Sequence, residues 1–145
     1  MKNVNLMKVL MNDLGISDQV RTLNNASLNR VIVHKDNSYD FYISSLLVIP
    51  VKEMKLLYNH KDSFRYPCRF YFNYQGIIKD DDVIDYALYI FDLYKDQFQM
   101  GTIKKEHLSF EHNVLTIETV SILQQEQYEK LFSDVLSDVF KDYGF

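Results

Sequence analysis

The run Leu28–Leu47, L-N-R-V-I-V-H-K-D-N-S-Y-D-F-Y-I-S-S-L-L, constrains the fold of this chain more than any other stretch. Leu28–His34 is rich in β-branched residues, which suit a pleated strand. Lys35-Asp36-Asn37-Ser38 supplies side chains that hydrogen-bond their own backbone and tolerate tight turns. Tyr39–Ile43 then alternates apolar with polar, so the stretch reads as a β-hairpin. A period of two puts Tyr39, Phe41 and Ile43 on one face and Asp40, Tyr42 and Ser44 on the other. A sheet half apolar in this way needs a cover, and helical patterns flank it on both sides.

Leu6–Leu14 has helical spacing, with Leu6, Val9, Leu10 and Leu14 proposed as its apolar side and Gly15 as the residue that ends it. Residues 16–27 read as a polar connection. After the hairpin, Pro50 suits the opening of a helix over Val51–Asp62, with Met54, Leu57 and Tyr58 inward. Phe64–Tyr74 reads as a strand with Cys68, Phe70, Phe72 and Tyr74 on one face and Arg69, Tyr71 and Asn73 on the other. Gly76 closes this first unit, 1–76, in the order helix, hairpin, helix, strand.

Lys79-Asp80-Asp81-Asp82 opens a second unit, 79–145. Three aspartates ahead of an apolar-periodic run favour a helix N-terminus; a divalent-metal cluster is the weaker reading, because such sites draw ligands from separated segments. The helix spans Val83–Phe98 with its stripe at Val83, Ile84, Ala87, Leu88, Phe91, Tyr94 and Phe98. A second hairpin follows, Leu108–Glu111 and Val114–Val120, turning at His112-Asn113. Ser121 and Gln124 have capping-box spacing, and the last helix places Tyr128, Leu131, Phe132, Val135, Leu136, Val139, Phe140 and Tyr143 on one face. Gly144-Phe145 follows that helix as though a further strand should come, so the second unit is expected to be cut short before its last strand. The fold class is therefore α+β: two small α/β units in tandem, each helix, hairpin, helix, with a closing strand in the first.

Charge divides along the same boundary. Residues 1–78 hold ten Lys and Arg against six Asp and Glu, a net +4 that includes all of Arg21, Arg30, Arg65 and Arg69. Residues 79–145 carry a net −8, six against fourteen, which opposes phosphate binding by that part alone. No apolar run reaches the ~20 residues of a membrane span, and the first residues lack the uninterrupted apolar core of a signal peptide. The single cysteine, Cys68, excludes an internal disulfide framework and suits a cytoplasmic protein. Set among aromatics, it reads as a buried inert thiol.

No nucleotide-binding glycine motif is present, since the glycines stand apart at 15, 76, 101 and 144. His34, His60, His107 and His112 have no metal-ligand spacing, and no serine or cysteine has a nucleophile's setting. No cofactor, metal site or catalytic residue is expected, and the chain reads as non-enzymatic. The candidate contact residues are Arg30, Tyr42, Arg69 and Tyr71, polar-face residues of the strands. A guanidinium beside a planar ring, as Arg69 flanks Tyr71, can stack a splayed base and pair a phosphate. The favoured readings are ordinary sheet-surface residues or a protein contact, where Arg and Tyr are also enriched, because a net +4 is modest for phosphate binding.

Several short stretches carry a resemblance: Lys8-Val9-Leu10, Ile16-Ser17-Asp18, Arg30-Val31-Ile32-Val33-His34-Lys35, Ser38-Tyr39-Asp40-Phe41, and Ser45-Leu46-Leu47 through Pro50. With them the chain resembles the extreme N-terminus of PolC-type DNA polymerase III, the replicative α subunit of low-GC Gram-positive bacteria and their relatives. Val114-Leu115-Thr116-Ile117, Val139-Phe140-Lys141 and Tyr143-Gly144-Phe145 are similar to that family's second N-terminal domain. The resemblance implies a first domain like the C-terminal domain of the clamp-loader τ subunit and a second that is KH-like. It also implies a parent that is a DNA-directed DNA polymerase with 3'-5' exonuclease, whose catalytic aspartates all lie beyond Phe145. Replisome proteins are then the expected partners, with single-stranded DNA as a further candidate and no membrane or small-molecule substrate. The second unit departs from the KH pattern in lacking G-x-x-G and in its acidity. Two other readings stand beside this one: a free-standing cytosolic protein-binding adaptor, and a metal-dependent nuclease built on the aspartate run.

Overall fold

The computed structural model describes residues 5–95, 103–118, 126–128, 130 and 137–145. The chain divides into two compact units, one over Met1–Ile77 and the other over Ile78–Tyr143. Mixed helix and strand in both make the protein α+β, with sheets of three and two strands.

The first unit opens with α1 (Leu6–Asp13), capped by the Asn5 side chain, which accepts the Lys8 N–H at 3.1 Å. Gly15 ends it at φ 76°, with the Gly15 N–H donating to Asn12 O and the Ile16 N–H to Met11 O, both at 3.0 Å. That pattern needs a left-handed residue after the helix, which glycine adopts without steric cost. The buried stripe of α1 is Met7, Leu10, Met11 and Leu14, whereas Leu6 and Val9 are 53% and 44% exposed. The expected face was therefore displaced by one residue, because Met7 and Met11 share a side with Leu10 and Leu14 at helical spacing.

Residues 16–27 are not a plain connection. They form a 3-10 turn (Ser17–Gln19) and the short helix α2 (Arg21–Asn24), tied by Asn24 Nδ2 donating to Ser17 O at 2.6 Å. Ile16, Val20, Leu23 and Ala26 bury their side chains there. These four apolar anchors stand at helical spacing, and burying them folds the segment onto the core.

The hairpin follows as β1 (Ser27–Val33) and β2 (Tyr39–Ser45), antiparallel, with a register irregularity between Leu28 and Arg30. In its turn the Asp36 carboxylate accepts the Ser38 hydroxyl at 2.6 Å and the Ser38 N–H at 3.0 Å, and Asn37 sits at φ 66°. Those bonds, chiefly the hydroxyl's, hold the Asp36 carboxyl below its ordinary value. Helix α3 (Val51–His60) starts behind Pro50, runs into a 3-10 turn (Lys61–Ser63), and carries the chain to β3 (Cys68–Tyr74). β3 is shorter than the expected Phe64–Tyr74. Pro67 has no N–H for a ladder, and its carbonyl instead accepts the Tyr39 N–H at 2.8 Å.

β3 lies parallel to β2, giving the order β1-β2-β3. Phe41, Ile43 and Phe70 are buried, and the edge-on contact between Tyr58 of α3 and Phe70, at 5.8 Å, marks the side that α3 covers. Phe64 meets Phe41 and Tyr39 edge to face, at 5.3 and 5.2 Å. Glu53, beside Met54 on α3, is buried, and its Oε1 accepts the Leu23 N–H of α2 at 3.0 Å.

In the second unit α4 (Asp80–Tyr94) starts where the aspartates stand, and Asp82 Oδ2 accepts the Lys79 N–H at 3.1 Å. Its buried residues are Ile84, Tyr86, Ala87, Tyr89, Ile90 and Phe91, a broader face than the expected stripe, while Val83, Leu88 and Tyr94 are half-buried. Strands β4 (Leu108–Glu111) and β5 (Val114–Ile117) pair antiparallel around His112 and Asn113, at φ 51° and 62°. Two left-handed residues in a two-residue loop suit the right-handed twist of the strands. Helix α5 (Ser137–Asp142) leads to Tyr143, whose ring lies 5.4 Å from Tyr89 and 5.6 Å from Tyr86. Phe98, the Thr119–Val120 end of the expected second hairpin, the Ser121–Gln124 spacing and half of the last helical stripe (Leu131, Phe132, Val135 and Leu136) lie outside the described residues.

Candidate interaction surface

The face of the three-stranded sheet that carries Asp40, Tyr42, Arg69 and Tyr71 is the opposite side from Phe41 and Phe70. Register decides what meets on it. Arg30 stands opposite Tyr42, and Tyr42 opposite Tyr71, so the three form one row across all the strands. The rings of Tyr42 and Tyr71 stack at 4.8 Å with 13° between planes, the spacing of neighbouring strands themselves. The Arg30 guanidinium lies 4.5 Å from the Tyr42 ring centre. Tyr42 is thereby sandwiched between a cation and a second ring, and the outer face of Tyr71 ends the row.

One row along, Ile32, Asp40 and Arg69 stand in register. Asp40 pairs with His34, Nε2 to Oδ2 at 2.7 Å, rather than with Arg69. Arg69 is exposed and makes no side-chain hydrogen bond or ion pair with another described residue. Beside this row an open groove of about 900 Å³ runs past the hairpin turn, lined by His34, Ser38, Asp40, Lys61 and Arg69 among others. Cys68 also reaches it, but the thiol is buried, and burial pushes its ionisation up from the ordinary value. No group of three or more His, Cys, Asp or Glu that could hold a metal ion occurs among the described residues.

All four residues singled out in the sequence thus share one face. Tyr42 touches both Arg30 and Tyr71; Arg69 stands apart, one row away. The sequence reading joined Arg69 to Tyr71 through their adjacency on one strand. It missed both the Arg30–Tyr42 contact and the His34–Asp40 pair. Counting back from the hairpin turn would have found the first, since positions equidistant from a turn face one another; the second is a diagonal pair, because Asp40 stands opposite Ile32 and His34 opposite Ser38.

Residues 6–73 match the family model for the DNA polymerase III polC-type N-terminus I. That match lies within the first unit. The polC-type match contains α1 through β3 almost to its end, and with them Arg30, Tyr42, Arg69 and Tyr71. No curated protein and no solved structure matches the chain. No helix among the described residues is long and apolar enough to cross a membrane.

Proposed function

We propose that this chain is a non-catalytic N-terminal region of a polC-type replicative DNA polymerase III, and that its first unit docks replisome proteins in the cytoplasm. The observation that carries the reading is the Arg30–Tyr42–Tyr71 row on an exposed sheet face of the matched unit. Arginine and tyrosine dominate the energetics of protein contacts, because each combines a large planar surface with hydrogen-bonding capacity. Here they are pre-stacked, so little side-chain entropy remains to be lost on binding. The polymerase and exonuclease activities belong, in this reading, to the parent enzyme. The second unit is taken as a KH-like module that does not hold nucleic acid by itself, given its net −8.

Single-stranded DNA is the competing ligand for the same face, favoured by the open side of Tyr71 and the unengaged Arg69. Against it, Tyr42 already has both ring faces occupied, and Asp40 adds a carboxylate to the row where Arg69 stands. Surface plasmon resonance with the whole chain separates the two, using purified replisome proteins and a single-stranded oligonucleotide as analytes. We expect a protein to bind, with Tyr71→Ala and Arg30→Ala each weakening it by roughly tenfold or more, as for interface anchors. Binding of the oligonucleotide alone at ~50 mM salt, lost steeply as salt rises, would transfer the face to DNA. No binding to either would end the proposal.

A further inference from the structure

β1 is an edge strand whose outer backbone is unpaired among the described residues. Which of its groups point outward follows from two bonds. The His34 N–H donates to Ser38 O at 2.9 Å, inward across the hairpin, and the Tyr39 N–H donates to Pro67 O, away from β1. Inward and outward residues alternate along an antiparallel ladder. Since His34 points in, Ile32 and Arg30 do so as well, and Val31 and Val33 present their N–H and C=O groups to solvent. Their side chains are 40% and 55% exposed.

Edge strands are ordinarily protected by proline, an inward-pointing charge or a covering element. Between Ser27 and Val33 there is no proline and no acidic residue, and the only charge is Arg30. Lys35 follows at the turn. The nearest carboxylates are already engaged, Asp36 by Ser38 and Asp40 by His34. The edge is therefore apolar on the Val31–Val33 side, cationic on the Arg30 side, and carries two free donor–acceptor pairs.

We propose that β1 binds an extended peptide segment of a partner protein by strand addition, one that alternates aliphatic with acidic residues. Its backbone completes the ladder at Val31 and Val33, its aliphatic side chains cover those valines, and its carboxylates lie along Arg30 and Lys35. This rests on the reading of the first unit as a protein-docking domain. It adds the partner's chemistry and a second contact, along the sheet edge beside the Arg30–Tyr42–Tyr71 face.

The test uses the whole chain and an acetylated, amidated octapeptide of alternating valine and glutamate, followed by amide NMR and hydrogen exchange. The expected result is a shift at Asn29–His34 with new exchange protection of the Val31 and Val33 amides, weakening as salt rises. Val33→Pro removes an outward N–H where an edge strand tolerates proline. It should weaken the peptide by about fivefold to tenfold, the worth of one or two backbone hydrogen bonds, while the β2 and β3 amides stay in place. Arg30→Glu should weaken the valine–glutamate peptide and admit a valine–lysine one. Three results would overturn the proposal: no shift on β1, shifts confined to Arg69–Tyr71, or equal binding by a peptide N-methylated at alternate residues. A peptide-independent dimer abolished by Val33→Pro would likewise replace the peptide with a second copy of the chain. Loss of replisome binding in Tyr71→Ala with an intact peptide site would instead separate the face from the edge, leaving the edge proposal standing.

Discussion

Truncating Phe41 tests how the first unit divides its sheet into a buried and a working face. Phe41 is 4% exposed, and its ring meets Phe64, Phe70 and Tyr39 at 5.3, 5.8 and 5.9 Å. Phe41→Ala removes those contacts and leaves a cavity under the sheet, a loss of about 3–5 kcal/mol for a buried phenylalanine. Tyr42, its neighbour on the other face, loses one stacked ring and one exposed cation–π contact. These are worth about 0.5–1.5 kcal/mol and about 0.5–1 kcal/mol, so Tyr42→Ala should cost about 1–2.5 kcal/mol. With a urea slope near ~1 kcal/mol per molar for a small unit, the midpoints fall by about 3–5 M and about 1–2.5 M. Since a domain holds only about 5–15 kcal/mol in all, Phe41→Ala should leave the unit partly unfolded without denaturant. The assay is a urea titration of the whole chain read on the amides of β2 and β3, with α4 followed as the internal reference. A Tyr42→Ala cost equal to or above that of Phe41→Ala would refute the face assignment and, with it, the exposed row.

Three further outcomes are expected. Glu53→Ala should destabilise the first unit by about 1–3 kcal/mol, because it orphans the buried Leu23 N–H; Glu53→Gln, which keeps an acceptor, should cost clearly less, and exchange at the Leu23 amide distinguishes them. Gly76→Ala should destabilise by about 1–3 kcal/mol through overpacking, since its Cβ would run into the backbone carbonyl of Leu46, the acceptor of the Gly76 N–H, and a urea midpoint measures it. Cys68 should resist alkylation in the folded protein at pH 8 and react promptly once unfolded, because burial keeps the thiol protonated. A raised folded value also means a stabilising contribution that is present below the unfolded thiol's pKa of about 8.5 and is lost as pH climbs through the folded value.

Local chemistry alone specified much of this protein. The two hairpin turns follow from Asp36-Asn37-Ser38 and His112-Asn113, the end of α1 from Gly15, and the start of α4 from Asp80–Asp82, since each depends on what a few adjacent residues can bond or adopt. The faces of β2 and β3 followed from a period of two, which no tertiary contact can alter once the strand exists. Tertiary structure decided what local chemistry leaves balanced. It turned α1 toward Met7 and Met11 rather than Leu6 and Val9, as both pairs flank Leu10 at helical spacing and only the core selects between them. It folded residues 16–27 around Ile16, Val20 and Leu23, and it gave Glu53 a buried partner thirty positions away in sequence. Above all, it set β3 parallel to β2. Strand pairing and register, long-range quantities that no local pattern encodes, aligned Arg30, Tyr42 and Tyr71 across three strands and left the outward groups of Val31 and Val33 on an open edge.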